Sequence, residues 1–308
     1  MNTTNDRNGK VYNITNDRNR AIVGSYHSTA RNGFCDHHKG AKQVDIRMLK
    51  TAQKKNFTTD ENNDVQAKFT LGIEVEKNRF SRNAVKEYPL FAGYEEDSSC
   101  GVEAVTNILP LLPKGKWRNK VFNMMFEAKS IIESPSDYRC GGHMTMGVDG
   151  LTGAELRDKI RKNAGIVLAL FRHRLKNRYC NSNLTMVSED NRDLLMNGSG
   201  RYQVLLTKSN TVEFRLVARF DNVKQMMRRY ELMYELLDFS VNNPNGKFKT
   251  FLNKVKPIVK SMYGGDEDKT NEILELAKAF QKMINTNRTN AQVSPYLSEC
   301  YIPQSMQG

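Results

Sequence analysis

The stretch Thr70-Leu71-Gly72-Ile73-Glu74-Val75-Glu76 constrains the fold of this chain more than any other. With the two-residue period of a strand, Phe69, Leu71, Ile73 and Val75 fall on one face, and Gly72, Glu74 and Glu76 on the other. The two glutamates then stand roughly 6–7 Å apart along the strand, backed by an apolar face. Carboxylates so placed repel unless a cation lies between them, which is the arrangement a divalent metal uses. In isolation the same pattern also describes a half-exposed strand with a solvated acidic face. The rest of the chain decides between the two.

Residues 1–65 form a polar, Asn-rich preface, read as an accessory arm. Thr4-Asn5-Asp6-Arg7-Asn8 recurs as Thr15-Asn16-Asp17-Arg18-Asn19, which suits two turns joined by a short strand from Lys10 to Ile14. Cys35, His37 and His38 supply part of a zinc set, but no second cysteine pair completes a finger. The catalytic core is expected over residues 66–240, and C-terminal helices with a loose tail over 241–308.

Within the core, Tyr88–Gly93 is followed by Tyr94–Val105, whose small, polar middle reads as a turn between two strands, with Glu103 on the second. A helix is predicted from Lys116 to Ile132, with Trp117, Val121, Met124, Ala128 and Ile131 on one stripe. Cys140-Gly141-Gly142-His143-Met144-Thr145-Met146-Gly147 reads as a strand entered through glycines. Its alternation sends His143 and Thr145 one way, Met144 and Met146 the other.

One long helix is expected from Gly153 towards Arg178, with Leu156, Ile160, Ala164, Val167, Phe171 and Leu175 inward. Its basic end (Arg172, Arg174, Lys176, Arg178) suits the negative helix terminus and is also a candidate contact for nucleic acid. A polar segment from Asn181 to Gly200 suits a substrate-side loop. Arg201–Thr207 and Thr211–Val217 read as a hairpin around Lys208-Ser209-Asn210. A three-residue loop places Glu213, Arg215 and Arg201 on one face; a two-residue loop reverses the relation for Arg201. Asp221 is expected to cap a helix to about Phe239, with helices near Lys247–Tyr263 and Lys269–Thr286 beyond it.

Charge and cysteine usage bear on partners and compartment. Forty-seven Lys and Arg against 34 Asp and Glu leave a net +13, which suits polyanions, either nucleic acid or nucleotide phosphates, and equally serves solubility. The five cysteines are scattered, with no CxxC pair and no secretory signal, so a cytoplasmic protein is expected. No apolar run is long enough to span a membrane.

Glu74/Glu76, Glu103, His143 and Glu213/Arg215 thus sit on four separate strand candidates, each facing away from an apolar side. Such a set cannot be hydrophobic core. Oxygen ligands with one imidazole suit magnesium or manganese, and arginine suits polyphosphate.

The ordered motifs Gly72-Ile73-Glu74-Val75-Glu76, Asp97-Ser98 before Gly101-Val102-Glu103, Cys140-Gly141-Gly142-His143, Arg201-Tyr202 and Thr211-Val212-Glu213-Phe214-Arg215 resemble the amidoligase family. These are carboxylate–amine ligases with the glutamine synthetase-type fold, encoded by many bacteria and phages. The resemblance covers about residues 67–240. It departs where the family commonly has His-x-His and this chain has Thr145 at the second position. It implies an α+β fold: a curved, mainly antiparallel sheet with the active site on its concave face and helices on the other. It also implies ATP- and Mg2+ (or Mn2+)-dependent amide formation from a carboxylate substrate and an amine substrate through an acyl phosphate. By carry-over, Glu74, His143 and Glu213 would hold one metal, and Glu76 and Glu103 another. Arg215 and Arg201 would bind and steady the transferred phosphoryl group. Two other readings fit the same residues: an inactive version of the fold that binds nucleic acid or protein, and a metal-dependent nuclease. If the site is real, the Glu74 and Glu213 carboxylates lie within about 12 Å of each other, close enough for shared or adjacent ions.

Overall fold

The computed structural model describes residues 13–14, 57–59, 65–88, 90–97, 99–176, 204–208 and 210–286. The elements run β1 (Asn13–Ile14), β2 (Phe57–Thr59), β3 (Val65–Ala67), β4 (Phe69–Lys77), α1 (Arg82–Glu87), β5 (Phe91–Asp97), β6 (Gly101–Thr106) and β7 (Leu109–Pro110). Then follow α2 (Lys116–Glu127), α3 (Lys129–Ile132), β8 (Met144–Val148), α4 (Gly153–Arg161), α5 (Gly165–Leu170), a 3-10 turn over Arg172–Lys176, β9 (Leu205–Thr207), β10 (Thr211–Phe214), α6 (Val223–Asn242), α7 (Phe248–Met262) and α8 (Glu267–Thr286). The fold is α+β with an open, mainly antiparallel sheet. Its strand order is β5-β6-β4-β8-β10-β9, with β7 also on β4, and β1-β3-β2 form a separate small sheet. No helix among the described residues is long and apolar enough to cross a membrane.

The chain divides into two compact units. The first comprises Met1–Leu156, Thr207–Glu213 and Arg219–Tyr230; the second comprises Arg157–Leu206, Phe214–Ala218 and Glu231–Gly308.

In the first unit β4 is the organising strand. It pairs antiparallel with β6 and, further along, β7 on one side, and with β8 on the other. Phe69, Leu71, Ile73 and Val75 are fully buried, as the alternation requires. Gly72 lies opposite Thr145, and Ile73 opposite Met144, so β8 carries the polar and apolar faces that its own alternation predicts. Lys77 continues the apolar row. It is fully buried, and its ammonium donates to the Phe220 carbonyl at 2.5 Å and to Ser136 Oγ at 3.3 Å. Burial pushes its pKa down to about 8. At the other end of the strand, the Tyr230 hydroxyl donates to Pro110 O at 2.6 Å and accepts from Leu112 N at 2.8 Å. These bonds satisfy two buried backbone groups where β7 ends.

The predicted helix over 116–132 is real but divides at Ala128, whose N–H is shared between Met124 O and Phe126 O. Val121, Met124, Ala128 and Ile131 are all buried. Asn222, rather than Asp221, caps α6: its side-chain oxygen accepts from Gln225 N at 2.9 Å, while Asp221 pairs with Arg219. The cap falls one residue later because the carboxylate is occupied by its neighbour.

In the second unit α5 packs against α8. The single long helix expected from Gly153 is broken into α4, α5 and the 3-10 turn, although the inward stripe Leu156, Ile160, Ala164, Val167, Phe171 and Leu175 is buried throughout. The break has a tertiary cause. A side chain at Gly165 would meet Ala277 O at 2.5 Å, and the Gly165 N–H bonds to Gln281 Oε1 at 3.0 Å. Gln281 also donates to Arg161 O at 2.9 Å, and Asn163 to Ser240 Oγ at 2.9 Å. Close approach of α8 thus supplies the hydrogen bonds that the interrupted helix gives up. α7 and α8 match their predicted spans within two residues and are tied by Lys256 and Lys260 to Glu267.

Candidate metal centre

Neighbouring strands bring the predicted carboxylates and imidazole together. Glu74 and Glu76 stand on β4. Glu103 on β6 lies directly opposite Glu76 in the ladder, which puts both side chains on the same face. His143 enters just ahead of β8, where its carbonyl accepts from Glu74 N at 3.0 Å. The glycines before it let the backbone fold close: Gly141 N–H donates to Glu76 Oε2 at 2.5 Å.

His143 is ringed by carboxylates. Its Nδ1 lies 2.7 Å from Glu74 Oε2 and 3.6 Å from Glu213 Oε1, and its Nε2 lies 3.4 Å from Glu76 Oε1. Glu74 and Glu213 therefore both touch one nitrogen, far inside the 12 Å expected of a shared site. One ligand atom from each of Glu74, Glu76 and His143 lies within 4.8 Å of the others.

The solvated acidic face that the alternation of β4 also allowed is not what the structure shows. Glu74, Glu76, Glu103, His143 and Glu213 are all buried, Glu213 completely. A group of carboxylates withdrawn from water needs compensating positive charge. Hard oxygen donors with a single imidazole are the ligand set that magnesium and manganese accept, and thiolates, which would favour softer metals, are absent from it. The residues present thus fit a hard divalent ion. Thr145, where the resemblance would put a second histidine, is buried opposite Gly72.

The hairpin carrying Glu213 corrects one expectation. Lys208 N donates to Thr211 O at 2.8 Å, and Arg215 N donates to Val204 O at 3.1 Å. Both bonds belong to the register of a two-residue turn, so Glu213 falls opposite Leu206, and Arg215 opposite Val204 rather than Gln203. The alignment that set Arg201 on the face of Glu213 required a three-residue loop and does not hold; Arg201 itself lies outside the described residues. So do Cys35, His37 and His38, and the segment from Asn181 to Gly200. Arg215 is buried just beyond β10.

Two residues of interest escaped the sequence reading. Lys208 Nζ lies 3.0 Å from Glu213 Oε2. The two-residue register puts Lys208 on Glu213's face, a relation that only the loop length could have revealed. Glu95 is the other: in the backbone register β5 sets it opposite Glu103, which is itself opposite Glu76. Alternation from Tyr94 would have flagged it, had the register of the β5–β6 hairpin been known.

The division of metals implied by the resemblance is also not the grouping that the geometry presents. Glu76 shares a donor set with Glu74 and His143 instead of standing apart with Glu103. At the basic end of the predicted long helix, Arg174 is buried and Arg172 pairs with Glu272 at 3.1 Å. Arg172 and Arg174 are thus engaged within the fold. No protein-family model matches this sequence, and no curated protein matches it.

Proposed function

We propose that this chain is an ATP- and magnesium-dependent carboxylate–amine ligase of the amidoligase kind, acting in the cytoplasm of a bacterial or phage-infected cell. On this reading the sheet is the catalytic sheet of a glutamine synthetase-like fold, with the acidic groups on its concave face. The observation that carries the reading is the buried Glu74, Glu76 and His143 set, with Glu103 across the ladder from Glu76 and Glu213 beside the imidazole. Those five residues come from the same ordered motifs that resemble the family.

The reaction would join a carboxylate to an amine with conversion of ATP to ADP and phosphate, through an acyl phosphate. Such chemistry asks mainly for charge neutralisation and in-line positioning. Magnesium or manganese held by Glu74, Glu76, His143 and Glu213, with Glu103 adjacent, would supply the positive charge that offsets the outer phosphates. The chain's own contribution is a rigid arrangement. Glu76 is fixed by the Gly141 N–H, the His143 ring by Glu74, and Glu213 by Lys208. Burial of the set keeps water away from an acyl phosphate, which hydrolysis would otherwise destroy. Arg215 remains the proposed group for the transferred phosphoryl.

The test is to supply ATP, Mg2+ and a fractionated cell extract and to follow ADP and new amide masses together. Extract-dependent ADP release with an amide product is expected, abolished by Glu74→Ala and Glu213→Ala. Cleavage of added DNA or RNA without ATP would replace this reading with a metal-dependent nuclease.

A further inference from the structure

The outward face of α2 has no part in the proposed chemistry. The helix is seated by one side, where Val121, Phe122, Met124 and Met125 are buried. There the Phe122 ring meets that of Tyr230 edge-on, 5.4 Å between centroids, and the Arg118 guanidinium lies over Phe122 at 5.7 Å. On the other side Lys116, Asn119, Asn123 and Phe126 recur at intervals of three and four residues and are all exposed, so they form one stripe. Trp117 and Lys120 flank it, each partly exposed. Lys116 Nζ and Lys120 Nζ lie over the Trp117 ring, 5.1 and 4.5 Å from its centroid, and Lys114 is exposed just ahead of the helix. No acidic residue occurs between Glu103 and Glu127. Phe126, 65% exposed, is the more exposed of the two large apolar side chains left in water among the described residues.

We infer that this face of α2 is a docking surface for single-stranded nucleic acid, with bases stacking on Trp117 and Phe126 and phosphates taken by Lys114, Lys116 and Lys120. A cationic surface interleaved with aromatic rings is what a sequence-tolerant single-strand site needs, because every base has a face to stack and every linkage a charge to neutralise. Trp117 and Phe126 are about 13 Å apart along the helix axis, from the rise per residue. Two bases of one strand can therefore reach both rings, while the backbone between them runs past Asn119 and Asn123, whose amides donate and accept hydrogen bonds. A base taking one face of the indole releases an ammonium to the phosphate that the same nucleotide brings. One cation–π contact is thus exchanged for an ion pair and a stacked base.

Other polyanions suit this face less well. The bases of a duplex are stacked on one another and offer no free face to the two rings. A helix lying in a membrane surface commits its apolar face to the lipid, whereas α2 commits that face to the fold and leaves Phe126 as the apolar member of its outward stripe. The contact stands whether or not the metal centre holds an ion.

Trp117 is the single tryptophan of the chain, so its emission reports on this face alone. The full chain is titrated with oligothymidylate, with the matching thymidylate–adenylate duplex and with phosphatidylserine vesicles, at about 50 and 200 mM salt. The expected result is saturable quenching by the single strand, with log K falling against log salt at a slope of about −2, as phosphate contacts from the three lysines give. Anisotropy of labelled oligothymidylate then ranks the variants. Lys114→Gln, Lys116→Gln and Lys120→Gln together should flatten that slope. Trp117→Ala and Phe126→Ala should each weaken binding about tenfold. Phe126 is exposed, so its truncation leaves the core intact. A charge-matched control with Lys249→Gln, Lys278→Gln and Lys282→Gln, at exposed positions on α7 and α8, should bind as the parent does. Binding that leaves the Trp117 emission unchanged overturns the inference, as does an equal loss in the control and the α2 triple variant. Tighter binding to vesicles or duplex than to the single strand also overturns it, and so does absence of binding at the lower salt.

Discussion

Glu76→Gln separates the stability of the metal-free chain from its capacity to hold an ion, and the structure predicts opposite signs for the two. Glu103, directly across the ladder, is about 5 Å away and repels Glu76 by about 3 kcal/mol at an effective dielectric constant of about 20. Glu74, within 4.8 Å, adds about 3.5 kcal/mol. Against these, the His143 ring at 3.4 Å would attract by about 5 kcal/mol at most, were it fully charged. The balance is a net repulsion of about 1.5 kcal/mol, which glutamine removes. Its amide oxygen still accepts from Gly141 N–H, so no backbone group is orphaned. In chelator, Glu76→Gln should therefore melt about 3 °C above the parent chain, at about 2 °C per kcal/mol for this size. With Mg2+ at a hundred times its dissociation constant, the parent gains about 2.7 kcal/mol and overtakes the variant, which has lost a ligand. Thermal melts followed by circular dichroism in EDTA and in Mg2+ would show the crossing. A variant that melts below the parent in EDTA, or that responds to Mg2+ as strongly as the parent, refutes the reasoning.

Other perturbations probe the scaffold. Lys77 has its pKa lowered from 10.5 to about 8, so between those values the unfolded chain binds more protons and stability should rise with pH. Urea midpoints across that window should climb for the parent and climb less for Lys77→Met; equal slopes would disprove the assignment. Tyr230→Phe strands Pro110 O and Leu112 N and should cost about 2–4 kcal/mol in urea unfolding. A loss below about 0.5 kcal/mol would mean that water replaces the hydroxyl. Gly153→Ala would press a methyl into the Lys208 and Thr211 carbonyl oxygens, costing about 1–3 kcal/mol. It should also weaken Mn2+ binding by shifting the turn that holds Lys208 on Glu213; unchanged affinity in calorimetry would show that this turn does not position Glu213.

What could be read from the sequence is whatever depends on a local period. Alternation within one strand decides which side chains share a face, so Glu74 and Glu76 against Leu71, Ile73 and Val75 needed no partner strand to be read correctly. The same holds for the buried stripes of the helices, whose 3.6-residue spacing survives even where the helix is interrupted. Features that depend on a second segment were not available. The opposition of Glu103 and Glu76 is a matter of register, and a slip of one residue would move Glu103 to the other face. The same indeterminacy left Arg201 open and hid Lys208, because one residue of loop length decides which side of β9 faces Glu213. The break before Gly165 arises from the approach of α8, more than a hundred residues later in the chain. Burial of the acidic face is likewise tertiary. Charged residues alternating with apolar ones read as solvated in a single strand, and only packing of the folded chain removes the water.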